Sequence, residues 1–112
     1  MDAERARELL ARERQRVERS LADLLPPPAR DDLTSLDQHL GDMGTELFDN
    51  ERDAGLALQL RDELTAIQRA EKRLEEGTYG VSVESGKPIP DERLEAVPWA
   101  ERTVEEQARY GG

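Results

Sequence analysis

Two stretches of the chain carry apolar residues at helical spacing, and a run of three prolines separates them. The first stretch covers residues 2–25, and a run of prolines at 26–28 ends it. Its apolar positions form one narrow line that Arg7 and Arg14 interrupt: Ala3, Leu10, Val17, Leu21 and Leu24. A narrow seam of this kind is typical of two helices packed on each other, so we predict a helix that needs a helical partner.

The second stretch, residues 43–76, predicts one long helix. Its seam alternates between spacings of four and three residues: Leu56, Leu60, Leu64, Ile67 and Leu74. Gly77 follows the last turn and suits a helix C-cap, because glycine adopts a positive φ easily. The complementary seams predict an antiparallel helical hairpin over residues 1–76, with a tip loop at about residues 26–45.

Residues 77–112 predict a small module at the base of this hairpin. Residues 79–81 and 88–89 are expected to pair as a short ribbon, and helices are expected over 91–96 and 99–109. Its core is predicted from the apolar residues of this segment: Tyr79, Val81, Ile89, Leu94, Val97, Trp99 and Val104. The fold class predicted is therefore mainly α, with a helical hairpin, a compact knuckle and a short C-terminal helix.

Composition narrows the possible partners. The chain is 36% hydrophobic and 38% charged, which suits exposed long helices better than a large globular core. Its net charge of −10 argues against direct binding to nucleic acid.

No apolar run reaches about 18 residues, so no membrane span is expected. The charged N-terminal segment does not resemble a secretion signal, and we expect a cytoplasmic protein.

Few residues offer catalytic chemistry. His39 is the single histidine, and it lies in the tip loop near Asp37, Asp42 and Glu46. It is interpreted either as a surface histidine or as a general base or weak metal ligand. Asp42 is open to two interpretations: a cap of the second helix, or a carboxylate that the hairpin presents to a partner. No nucleophile arrangement or phosphate-binding loop is present, so we expect no enzymatic activity.

Four polar residues have the spacing of a zinc knuckle, in which two close pairs of ligands hold one metal ion. The pairs are Ser82 with Ser85, and Thr103 with Glu106. The chain has no cysteine, which excludes disulfides and thiolate ligands. A hydroxyl is neither anionic nor soft, so we predict that these positions hold no structural zinc.

These same residues resemble the DksA/TraR family of bacterial proteins, which carry a four-cysteine zinc finger. The family pattern GTYG-x-C-x-x-C-G, IP-x-x-RLEA-x-P and C-x-x-C is similar to the segment GTYGVSVESGKPIPDERLEAVPWAERTVEE, except that every cysteine is replaced. The segment TSLDQHLGDMGTELFDNERD resembles more weakly the hairpin tip of a short, sporulation-associated branch.

The resemblance implies a helical hairpin that binds bacterial RNA polymerase by entering its secondary channel, often jointly with guanosine tetraphosphate. It places Asp42 at the acidic tip of the family's hairpin, together with Asp37 and His39. Gly44 stands where the family usually has alanine. Ser82, Ser85, Thr103 and Glu106 stand at the zinc-ligand positions, so the resemblance and the ligand chemistry together predict a knuckle without cofactor.

Three hypotheses follow for function. The first is a non-enzymatic regulator that binds RNA polymerase through the hairpin tip. The second is a coiled-coil adaptor, or a stress- or sporulation-related interaction protein, that no longer targets polymerase. The third is a metalloprotein that uses His39. In all three, we expect the knuckle to be held by Tyr79, Ile89, Leu94 and Trp99 and by hydrogen bonds among Ser82, Ser85 and Thr103. A pair between Glu106 and Lys87 or Arg102 is expected to add to this.

Overall fold

A computed structural model of the chain describes residues 1–24 and 51–110. It contains α1 (Ala3–Leu24), α2 (Glu51–Glu76), α3 (Asp91–Ala96) and α4 (Val104–Tyr110). Within these described ranges, the extended structure is limited to one isolated antiparallel bridge between Val81 and Pro88. The predicted mainly α fold is confirmed. The tip loop and the first turns of the helix predicted over 43–76 lie outside the described residues.

The chain divides into two compact units. One comprises Arg14–Thr65 and the other comprises Met1–Glu13 with Ala66–Gly112. Each unit therefore combines one half of α1 with the opposite half of α2, which is the antiparallel pairing predicted for the hairpin.

In the unit Arg14–Thr65, the two helices bury small and branched apolar side chains. Helix α1 contributes Val17 and Leu21, and Arg16 on its flank lies 3.7 Å from the Glu63 carboxylate of α2. Helix α2 buries two alanines and two leucines: Ala54, Ala57, Leu60 and Leu64. The predicted place of Leu56 in this seam was wrong, because its side chain is 44% exposed. Alanine lines the seam there, and a small side chain lets two helices approach closely.

In the other unit, side chains from the first half of α1 and from the last part of α2 are buried. The buried residues are Ala6, Leu9 and Leu10 on α1, and Ala66, Ile67 and Ala70 on α2. Ala3 was predicted to belong to the seam but is exposed, and Ala6 occupies the inward position one turn later. Leu74 is half-buried.

Helix α2 ends in a motif that its sequence predicts. Gly77 has φ +78°, its N–H donates to the Leu74 carbonyl at 3.3 Å, and the Thr78 N–H donates to the Arg73 carbonyl at 2.9 Å. This pair of bonds is the Schellman motif, which satisfies carbonyls that the helix end would leave unpaired. It turns the chain sharply from α2 into the small module.

The module begins with the predicted ribbon. The N–H of Ile89 donates to the Gly80 carbonyl at 2.9 Å, and the N–H of Ser82 donates to the Lys87 carbonyl at 2.8 Å. Pro90 then precedes α3, in agreement with the predicted helix start. The last helix was predicted over 99–109, but residues 99–103 are not helical and α4 begins at Val104.

The core of the module is smaller than predicted. Ile89, Leu94 and Ala100 are buried, and three partly buried residues pack against them: Met1, Tyr79 and Val97. Val81 and Val104 were predicted to be core residues, but they are 37% and 63% exposed. Trp99 is half-buried. Because the core is this small, polar contacts must contribute much of what orders the rest of the module.

Candidate functional site

The candidate site residues fall into two groups. Asp37, His39, Asp42 and Gly44 lie outside the described residues, so their roles remain predictions. The other four residues lie within the knuckle, which we define as residues 81–88 together with residues 103–106. The structure brings these four together: Ser82, Ser85, Thr103 and Glu106.

The first pair of residues is arranged by a tight turn. The N–H of Gly86 donates to the Ser82 carbonyl at 2.9 Å, and Gly86 adopts φ +75°, which favours glycine at this position. Inside the turn, the Ser82 hydroxyl oxygen accepts hydrogen bonds from the N–H groups of Glu84 at 3.0 Å and Ser85 at 3.2 Å. The Ser85 hydroxyl oxygen accepts one from the Lys87 N–H at 3.3 Å.

The second pair begins helix α4. The Thr103 N–H donates to Oε1 of Glu106 at 3.0 Å, and the Glu106 N–H donates to Oγ1 of Thr103 at 3.2 Å. This reciprocal arrangement is a capping box, in which the two side chains satisfy backbone donors at a helix start. The Thr103 carbonyl accepts the N–H of Gln107 at 2.9 Å and so begins the helical hydrogen bonding.

The two pairs meet at the Glu106 carboxylate. Hydrogen bonds from the hydroxyls of Ser82 and Ser85 and from the backbone of Thr103 lower the pKa of the Glu106 carboxyl to about 2. Glu106 is 5% exposed and Ser82 is 3% exposed, so this is a buried anion. A buried carboxylate is stable only when it is well hydrogen-bonded, and these three donors meet that requirement.

The expected pairing of Glu106 with Lys87 or Arg102 is replaced by these neutral donors. Arg102 lies instead against Glu84, with Nε 3.3 Å from Oε2, and its guanidinium lies 3.8 Å from the centre of the Tyr110 ring. The prediction of a cationic partner was wrong because hydroxyl and backbone donors, and not a basic side chain, lie at the Glu106 carboxylate.

A second acidic residue connects the knuckle to α2. The Glu101 carboxylate accepts hydrogen bonds from Nε of Arg69 at 2.6 Å and from Nη1 of Arg73 at 3.1 Å. Its backbone carbonyl accepts the Val83 N–H at 2.9 Å. Burial acts to raise the pKa of the Glu101 carboxyl, but the two arginines outweigh it and the net pKa is lowered. This connection could not be predicted from the sequence, because Glu101 and its two arginine partners are far apart along the chain.

The chemistry of the four residues does not fit a zinc ion. Three of them offer hydroxyl oxygens, which are neutral and hard, and one offers a carboxylate. The serine hydroxyls are donors to Glu106, and their oxygens already accept backbone N–H groups. In the part of the chain that the structure describes, no three histidine, cysteine or acidic side chains form a group suited to a metal ion.

The sequence did carry one signal for this arrangement that the zinc-knuckle interpretation passed over. Thr103 followed by Glu106 three residues later is the pattern of a capping box. That pattern predicts a helix start at residue 104, where α4 begins. The meeting of Ser82, Ser85 and Glu106 depends on tertiary structure, and local spacing does not specify it.

The comparisons with known proteins agree with this geometry. The family model described as the prokaryotic dksA/traR C4-type zinc finger matches residues 77–110. The protein YteA of Bacillus subtilis is 39% identical over 94 residues, which covers 71% of this chain and 39% of the relative. General stress protein 16O of the same organism is 44% identical over 73 residues, covering 65% and 45%. The RNA polymerase-binding transcription factor DksA of Caulobacter vibrioides is 42% identical over 65 residues, covering 54% and 46%.

This chain thus covers less than half the length of those three relatives. A solved structure, that of transcription factor DksA2 from Pseudomonas aeruginosa, extends the likeness to almost the whole chain. It is 29% identical with a TM-score of 0.63, and the match covers 97% of this chain and 82% of the other.

The zinc-finger module matched at residues 77–110 and the two similar transcription factors point to proteins of the DksA/TraR type, although this chain has no cysteine. The chain belongs to the DksA/TraR family. None of the helices in residues 1–24 and 51–110 combines the length and apolar character needed to cross a membrane.

Proposed function

We propose that this protein is a non-enzymatic regulator of transcription that binds bacterial RNA polymerase through its helical hairpin. The observation that carries the proposal is the match to the transcription factor DksA2 over 97% of the chain. The relative from Caulobacter, whose name records polymerase binding, supports the same partner.

The physical character of the chain is consistent with a protein partner. The net charge of −10 disfavours direct contact with DNA or RNA and favours a basic protein surface. Within each unit the apolar side chains of α1 and α2 are packed together, and this order reduces the entropy that binding would otherwise cost those helix segments. Asp42, which the resemblance places at the tip, is the residue proposed to act inside the polymerase channel.

The experiment is a pull-down of purified bacterial core RNA polymerase with the full chain, followed by transcription in vitro. We expect polymerase to be retained by the wild-type chain. Asp42→Asn is expected to keep polymerase binding and to lose the effect on transcription. Asp62→Asn is the matched control, because it makes the same chemical change on an exposed position of α2. It is expected to preserve both properties.

Failure of the wild-type chain to retain polymerase would contradict the proposal and favour the adaptor hypothesis. Equal transcription effects of Asp42→Asn and wild type would remove Asp42 from the proposed mechanism. Guanosine tetraphosphate is proposed as a joint ligand with polymerase, and its addition to the transcription reaction is expected to strengthen the effect. No change on its addition would limit the proposal to polymerase alone.

A further inference from the structure

We propose that the Glu106 carboxylate takes the structural place that a metal ion has in a four-ligand knuckle, so that the module folds without bound metal. The proposal concerns how the module is held together, and it stands or fails independently of polymerase binding. It assigns Glu106 the role of an internal cross-link between two segments of the chain.

The geometry of the cross-link carries the proposal. A structural metal connects two turns because it binds one pair of ligands from each. Here the Glu106 carboxylate accepts the Thr103 N–H at 3.0 Å in the second turn, and the hydroxyls of Ser82 and Ser85 in the first turn lie beside it and lower its pKa. Its own backbone N–H returns a bond to Thr103 at 3.2 Å. One anion therefore joins the same two segments that a metal would join.

The Ser82 hydroxyl has no acceptor site left for a metal ion. A serine hydroxyl has one donor and two acceptor sites. At Ser82 the two acceptor sites receive the N–H groups of Glu84 at 3.0 Å and Ser85 at 3.2 Å, so that only the hydroxyl proton is left for the neighbouring Glu106 carboxylate. A cation would have to displace these hydrogen bonds and then bind a neutral oxygen, to which zinc binds only weakly.

The burial of Ser82 and Glu106 requires their polar atoms to be hydrogen-bonded within the protein. Ser82 and Glu106 are 3% and 5% exposed, so any unmade bond at either residue would leave a polar group away from water. A backbone hydrogen bond from the Val83 N–H to the Glu101 carbonyl at 2.9 Å also joins the first turn to the residues just before the second.

The first arm of the test measures metal in the purified full chain. Elemental analysis is expected to find no stoichiometric zinc, and neither a chelator nor added zinc is expected to shift the melting midpoint. One zinc per chain, or a lower midpoint with chelator, would overturn the proposal.

The second arm removes the anion. Glu106→Gln is expected to lower the melting midpoint by several degrees, because an amide is a weaker acceptor for three donors and its NH₂ group faces them. Glu105→Gln is the matched control, since Glu105 is the exposed neighbour in the same helix. It is expected to leave the midpoint unchanged. Equal midpoints for both variants and wild type would remove Glu106 as a cross-link.

The third arm keeps the test decisive if Glu106→Gln does not fold. A variant carrying Ser82→Cys, Ser85→Cys, Thr103→Cys and Glu106→Cys is expected to bind one zinc per chain under reducing conditions, and chelator is expected to unfold its module. This result would show that the four positions retain the geometry of a metal site. Failure of this variant to bind zinc would mean that the positions do not converge, and the proposal would be wrong.

Discussion

The hydroxyl of Tyr79 donates a hydrogen bond to the carbonyl of Pro98, with the two oxygens 2.8 Å apart. Tyr79 follows the turn at the end of α2, and Pro98 is a fully buried residue after α3. This bond joins the entry of the module to the segment that leads into α4, and it lies beside the core formed by Ile89, Leu94 and Ala100.

Tyr79→Phe is expected to destabilise the protein by about 1 kcal/mol, because it removes one hydrogen bond and leaves a buried carbonyl without its donor. Urea unfolding measures the change. Tyr110→Phe is the control, since that ring is 66% exposed and keeps its face toward Arg102 after the substitution. A loss as large in the control as in Tyr79→Phe would contradict the prediction.

The ionisation of Tyr79 is expected to reduce stability at high pH. Burial raises the pKa of Tyr79 from 10.0 to about 12. The folded chain therefore keeps this proton where the unfolded chain has lost it, so the contribution is complete below pH 10 and disappears as pH rises to about 12. In the Tyr110→Phe background Tyr79 is the one tyrosine, and phenolate absorbance reports its titration directly. A midpoint near 10 would refute the shift.

Leu94→Ala is expected to cost about 2–5 kcal/mol, because Leu94 is 1% exposed at the centre of the small core. Val104→Ala, at a side chain that is 63% exposed, is expected to change stability by less than about 0.5 kcal/mol. Urea unfolding of both variants measures the difference. Similar values for the two would show that the core lies elsewhere.

Two glycines, one within α2 and one immediately after it, are expected to respond to alanine with opposite changes in stability. Gly77→Ala is expected to cost about 1 kcal/mol, because φ is +78° and a side chain is strained there although space is free. Gly55→Ala is expected to stabilise by about 0.5–1 kcal/mol, because Gly55 lies within the helix and, apart from the adjoining helix backbone, no atom of the described residues lies within 4 Å of the added carbon. Thermal unfolding of the two variants provides the comparison, and the same sign in both would contradict it.

Acid is expected to weaken the knuckle through Glu106. The carboxyl has a pKa of about 2 in the folded protein against an ordinary value of 4.5, so its contribution is complete above pH 4.5 and is lost as pH falls toward 2. Glu106→Gln is expected to reduce the dependence of the melting midpoint on pH over this range. Part of the slope should remain, because the pKa of Glu101 is also lowered. Glu105→Gln should keep the wild-type dependence of the melting midpoint on pH. The same dependence in Glu106→Gln would exclude the Glu106 carboxyl as a cause of the acid sensitivity.

Much of the local structure was predictable because it depends on neighbouring residues. Gly77 and Gly86 both adopt the positive φ that turns favour, and Pro90 stands immediately before α3. These features need only a few residues to specify them. The helical periods of α1 and α2 were likewise sufficient to predict two packed helices.

Which apolar side chains face inward was less predictable. The spacing predicted Leu56 in the seam, but Leu56 is 44% exposed and Ala54 and Ala57 are the buried residues there. The exposure of Val81 and Val104 has a similar origin, because the face a short ribbon or helix buries depends on what packs against it. Residue type indicates that a side chain can be buried, and tertiary structure decides whether it is.

The candidate site likewise has features that were predictable from local sequence and features that depend on tertiary structure. The convergence of two turns was predictable from the spacing of Ser82, Ser85, Thr103 and Glu106, and the capping box was present in the sequence. The direction of the serine hydroxyls toward one carboxylate was not, because it depends on how residues 82–85 and α4 meet.

Glu101 connects three parts of the chain through one residue. Its carboxylate accepts hydrogen bonds from Arg69 and Arg73 of α2, while its carbonyl accepts one from Val83 of the knuckle. A fluctuation that frays the last turns of α2 must therefore also loosen the knuckle, and the reverse holds as well. These segments form one cooperative unit of opening, so their amides should exchange with solvent deuterium at a shared free energy rather than independently.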